Sequence, residues 1–157
     1  MDFLSNVPLA KTIWNWIQSR LGLNREHDVA IFKKLNAIAD EPRIDKILNS
    51  SIYTSYFHIE EDHALQDFID ALQRIENEYL QSVVRLRAEE LAWELGKLLD
   101  HVRGTFWKVP AGHLKFRPDP IAHEVYEAEW KELNERLQKT WNAYKAYRST
   151  VKTRLRV

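Results

Sequence analysis

From Glu60 to Leu95 the chain runs without a glycine or a proline, and its apolar residues recur at intervals of three and four. Such a period, held over many turns with no breaker, leaves little beyond an amphipathic helix as the local structure. Leu65, Phe68, Ile69, Leu72, Ile75, Tyr79, Leu80 and Val83 carry one stripe, and Leu91, Leu95, Leu98, Val102 and Phe106 carry a second. The phase shifts near Arg85-Leu86-Arg87. That leaves open one bent helix or two with a short break, and the missing breaker favours one long element over about 60–106.

A second long helix, about 119–155, opens at Asp119-Pro120, an acidic cap followed by a proline in the first turn. Tyr126, Trp130, Leu133, Leu137, Tyr144, Val151 and Leu155 set its apolar face. Between the two lies a stretch of about 104–119 containing Gly104, Pro110, Gly112 and Pro118, which reads as a loop. Long helices joined this way most simply pack antiparallel. An N-terminal amphipathic helix of about 8–21, ended by Gly22, precedes a second one capped by Asn24. A third starts at Asp40-Glu41-Pro42, and Ile52 to Phe57 reads as a last helical turn or irregular chain because no strand partner is evident. The expected fold is all-α: one domain over 1–157, a helical bundle with two long antiparallel helices plus shorter N-terminal helices.

Composition narrows the chemistry. The 157 residues include no cysteine, which excludes disulfides, thiolate metal sites and a cysteine nucleophile. Charged residues form 29% and hydrophobic ones 45% with no formal net charge, a folded composition and not a disordered one. No run of about 18 apolar residues exists, so no spanning helix is expected. Asp2 and Lys11 argue against a secretion signal, and the expected location is cytoplasmic. No glycine-rich loop and no Gly-x-Ser-x-Gly elbow occurs. No cofactor or small-molecule substrate is implied.

Three polar pairs are candidate reaction centres. Glu60 and His63 share a helix face, but a di-iron bundle needs a second Glu-x-x-His that the chain lacks, so no metal is expected. His27-Asp28 is the dipeptide of HD-type phosphohydrolases; that class also needs an upstream histidine, and none precedes His27. The two residues then read as the polar first turn of a helix. Arg117 and His123, separated by five residues in a helical chain, resemble the signature of HEPN ribonucleases. The resemblance covers those two residues and the helical class, with Pro118 where that family usually has a polar residue. It implies RNA cleavage with both side chains brought together across a dimer.

Surfaces are the more informative feature. Lys145, Arg148, Lys152 and Arg156 fall on one helical face near Tyr144 and Tyr147, in a stretch from Lys139 to the end that holds no acid. Such a stripe can meet phosphates or an anionic partner, or pair with the acidic stretch Glu26–Glu78. Phe106 and Trp107 sit among Arg103, Lys108, Lys115 and Arg117, and Trp14 and Trp16 widen the apolar arc of the first helix. These four aromatic residues are the candidates for docking on a partner or, for the first helix, on a membrane surface. The expected function is a non-enzymatic interaction module, self-associating as a homo-oligomer or binding a protein partner. The alternatives are a nucleic-acid-binding or HEPN-like RNA-cleaving domain and, more weakly, a membrane-surface protein.

Overall fold

The computed structural model describes residues 8–51, 56–116 and 123–157, with side chains in the first helix described at Ile13 and from Gly22 onward. The elements in order are α1 (Pro8–Ile38), α2 (Glu41–Lys46), a π-helical turn (Ile47–Ser51), β1 (Tyr56–His58), α3 (Ile59–Gln73), a 3-10 turn (Ile75–Asn77), α4 (Ser82–Thr105), β2 (Phe106–Val109), a 3-10 turn (Pro110–Gly112), β3 (His113–Phe116) and α5 (His123–Leu155). The fold is a helical bundle in which the two long helices α4 and α5 pack together. They run antiparallel: Tyr79, just before α4, meets Tyr147 late in α5; Thr140 Oγ1 donates to the carbonyl of Glu94 at 3.2 Å; and Phe116, after α4, meets Trp130 early in α5. Leu91, Leu95, Leu98 and Val102 on α4 and Leu133, Val151 and Leu155 on α5 are buried between the elements.

Four local expectations are corrected. Gly22 does not end a helix: α1 continues through it to Ile38, so the N-terminal helix of about 8–21 and its successor are one. An exposed glycine costs a helix only about 1 kcal/mol, too little to break one flanked by good formers. The stretch of about 104–119 is ordered as a β-hairpin over Phe106–Phe116, in which Trp107 pairs with Lys115 and Gly112 takes the left-handed φ of 75° that its turn needs. Tyr56–His58 is a strand, pairing antiparallel with β3 to complete a sheet ordered β1-β3-β2. Phe57, Phe106 and Phe116 turn inward from this small sheet and close one end of the core. The opening of α2 is as the sequence indicates, with Asp40 accepting from the N–H of Arg43 at 2.9 Å and proline in the first turn.

The fourth correction is the most instructive. The stripe over about 60–106 is two helices, broken between Gln73 and Ser82 although no glycine or proline lies there. Arg74 and Glu78 are extended, with ψ of 132° and 125°. The break is held by groups far away in sequence. The carboxylate of Asp28, on α1, accepts the backbone N–H groups of Leu80 at 2.7 Å and Gln81 at 3.0 Å, and Asp28 is fully buried. It fixes the last two residues before α4 and sets a carboxylate at the positive end of the helix dipole, where Gln81 makes no side-chain cap. His27 Nε2 donates to the carbonyl of Glu78 at 3.2 Å. The buried amide of Asn77 donates to Ala71 O at 2.7 Å, satisfying a carbonyl at the end of α3, and accepts from Lys34 Nζ at 2.9 Å. The same turn of α1 carries Arg25, whose Nε donates to the carbonyl of Leu155 at the end of α5 at 2.9 Å. An acid at a helix start and a base at a helix end are both in the favourable sense of the helix dipole.

Candidate functional site

The described residues hold no cluster of three or more histidine, cysteine or carboxylate side chains that could bind a metal, and none of their helices is long and apolar enough to cross a membrane. His27 and Asp28 are engaged with the chain break as described, and His63 stands exposed one turn into α3. His123 opens α5 with its side chain 84% exposed and Nε2 3.1 Å from Glu127. Arg117 lies outside the described residues, as do the side chains of Trp14 and Trp16.

The basic stripe of α5 divides into two kinds of residue. Arg148 is a tie between elements: its guanidinium donates to Glu41 of α2 and to Asn36 Oδ1 of α1 at 3.0 Å, and stands 4.9 Å from the ring centre of Phe32. Its side chain is only 15% exposed. Lys152 reaches the same Glu41 carboxylate at 3.8 Å, Lys145 lies 5.6 Å from the ring centre of Trp141, and Arg156 is exposed beyond the helix end. Lys145, Arg148 and Lys152 border, with Glu41, a cleft of about 410 Å³ whose aromatic wall is Trp141 and Tyr144; Arg156 lies outside it. Behind them, burial raises the hydroxyl pKa of Tyr144 and pushes that of Tyr147 up to about 12.

The candidate docking aromatics also divide. Phe106 is 6% exposed and packs edge-to-face on Phe116, so it belongs to the core and not to a docking surface. The alternation of a strand turns its neighbour Trp107 outward, at 59% exposure. Trp107 sits in register with Lys115, which sits in register with Tyr56, itself half exposed. The next row of the same face is Val109, His113 and His58, with the two imidazole centres 3.9 Å apart and His113 5.1 Å from Tyr56.

Exposed apolar side chains also lie on α4. Its buried residues Val84, Leu91, Leu95, Leu98 and Val102 face the core, while Leu86 and Trp93 point the opposite way at 61% and 64% exposure, with Val83 beside them at 44%. A cleft of about 400 Å³ runs along this helix beside the break, lined by Leu72, Ile75, Tyr79, Ala88, Ala92 and Trp93, and Ile75 on its rim is 89% exposed. Charges border the stripe: Arg87 pairs with Glu90, and Lys97 lies 3.8 Å from Glu94 and 4.6 Å from the ring centre of Trp93. Reading the sequence alone missed this face. Its one signal was the phase shift at Arg85-Leu86-Arg87, which is where apolar residues leave the core side of the helix. Comparison with known protein families, with curated proteins and with solved structures returns no match.

Proposed function

We propose that the chain is a helical interaction module that self-associates through the outward face of α4. The observation that carries this reading is the exposure of Leu86 and Trp93 on the side of α4 opposite the core, a large apolar surface left in water. Tryptophan and a leucine two turns away on the same side, ringed by charged groups, have the make-up of an interface centre with its rim.

The charge order along α4 supports a second copy as the occupant. Glu90 lies three residues before Trp93 and Lys97 four after it. Two copies of α4 crossing antiparallel near Trp93 therefore set Glu90 of each against Lys97 of the other, a pair that occurs twice, as a two-fold requires. The pairs that Arg87 and Lys97 make within the chain are exposed and cost little to exchange. A helix of 24 residues is about 36 Å long, so one face per copy makes a small interface and a concentration-dependent dimer.

The test is light scattering coupled to size-exclusion chromatography over a range of concentrations. Wild-type protein is expected to shift towards a dimer as concentration rises, and Trp93→Glu to remain a monomer. Glu90→Lys and Lys97→Glu each place like charges at both pairs and weaken the dimer about tenfold. Mixed together, the two variants restore both attractions in a heterodimer. A wild-type monomer throughout, or a mixture no better than either variant alone, rejects self-association by this face.

A further inference from the structure

We infer that the outer face of the three-stranded sheet is a binding platform for single-stranded nucleic acid, with Tyr56 and Trp107 as stacking surfaces and Lys115 as the phosphate contact between them. The inference is independent of the α4 reading. It starts from register: Tyr56 pairs with Lys115 and Lys115 with Trp107, so the three side chains form one row across the sheet, all on the same face. All three are exposed. The two aromatic side chains are therefore two strand spacings apart, about 9.5 Å, with a flexible cation midway. Two neighbouring bases splayed onto these rings would bring the phosphate that joins them over the lysine.

The composition of the face favours this ligand over another protein. Its six described residues are Tyr56, His58, Trp107, Val109, His113 and Lys115, which include four rings and one fixed positive charge but no carboxylate. What singles out nucleic acid is the order of the row: a cation lies between two exposed rings, matching a phosphate between two bases, and no carboxylate among these six residues repels it. Stacking needs ring faces open to solvent, and every base has a π-face to offer, so the platform has no need of base-specific hydrogen bonds. Support beneath is rigid: Phe57, Phe106 and Phe116 on the opposite face of the strands are buried in the core, which fixes the spacing of the outer row. The imidazoles of His58 and His113, in contact at 3.9 Å, extend the ring surface from Tyr56 along the next row.

The experiment is fluorescence anisotropy of labelled ten-nucleotide oligothymidylate and oligouridylate with the full chain, at low and moderate salt. Saturable binding that weakens with salt is expected for at least one of the two. Trp107→Ala and Tyr56→Ala should each weaken it by between about fivefold and 100-fold, the range measured for loss of one stacked base. Lys115→Ala should weaken binding and lower the salt dependence by about one counterion. Trp93→Glu, which removes the exposed tryptophan of α4, is expected to leave oligonucleotide binding unchanged whatever it does to self-association, so the two proposals fail separately. Thermal unfolding confirms that each variant, altered only at an exposed side chain, remains folded. No saturable binding of either oligonucleotide overturns the proposal, as does binding indifferent to both aromatic substitutions. Competition by long-chain polyphosphate as strong as by the oligonucleotides also overturns it, because charge alone would then account for the affinity.

Discussion

The hydroxyl groups of Tyr79 and Tyr147 lie 2.6 Å apart in the interior, each the partner of the other, with the two rings edge-to-face. Tyr79 is 1% exposed and Tyr147 2%. One donates and the other accepts, and the raised pKa of both follows chiefly from burial, which disfavours a phenolate. The pair joins the break before α4 to the C-terminal half of α5.

Replacing one tyrosine strands the other. Tyr79→Phe or Tyr147→Phe should each cost about 1–3 kcal/mol, the penalty of an unpartnered buried hydroxyl. The double variant should cost less than the sum of the two singles, since both polar groups are then gone. Urea denaturation of the four proteins measures the coupling, and strict additivity would show that the bond contributes nothing.

Asp28 should be among the most sensitive positions of α1. Its replacement by alanine leaves the N–H groups of Leu80 and Gln81 without their carboxylate, and two charge-assisted bonds at about 1.5–3 kcal/mol each predict a loss of several kcal/mol. Amide exchange localises the effect: protection at Leu80 and Gln81 should fall first in Asp28→Asn, which keeps the shape and loses the charge. Equal protection in the variant and the wild type would mean that the carboxylate is dispensable.

The basic residues of α5 should separate by role. Arg148→Ala removes contacts to α1 and α2 together and is expected to destabilise the fold by about 1–2 kcal/mol. Lys145→Ala and Lys152→Ala, at exposed side chains, should stay within about 0.5 kcal/mol. Thermal melts of the three variants decide this, and any later assay of anion binding should rely on the lysines, because loss of Arg148 confounds binding with folding.

Stability should also fall on mild acidification through His101. Burial lowers its pKa, and Arg136 lowers it further, against the opposing influence of Glu132 and Glu129. A base whose folded pKa lies below the unfolded value of about 6.5 binds more protons when unfolded. Its contribution is complete above the unfolded value and is lost as pH falls below it. Denaturant midpoints between pH 7 and pH 5 should therefore fall less in His101→Gln than in the wild type; parallel curves would assign the loss to other groups.

The helical class and the antiparallel pairing of α4 with α5 were legible because periodicity and length report directly on helices. The α2 cap was legible too, since Asp40 and Pro42 act within one turn. The hairpin was not, because Gly112 and the prolines of its stretch mark turns and loops equally well, and β1 finds its partner more than fifty residues away. The inward turn of Phe106 and the outward turn of Trp107 depend on strand alternation, so assigning a loop there lost both. His27 and Asp28 drew notice as a dipeptide, but their partners at Glu78, Leu80 and Gln81 are set by tertiary packing, which no local pattern records.

That dependence bears on how the chain reaches its final shape. The residues from Arg74 to Gln81 have no intrinsic reason to stop a helix, and in isolation α3 could propagate into α4 as one rod. Docking of α1 is what bends the rod: the turn from Arg25 to Asp28 captures the freed amides at one place and the last carbonyl of α5 at another. The bend therefore depends on a contact that spans 52 residues, from Asp28 to Leu80, and not on anything within the bent segment. The N-terminal helix thus acts as a template for the bend, and a chain without it docked would expose a longer, straighter helix than the one it keeps.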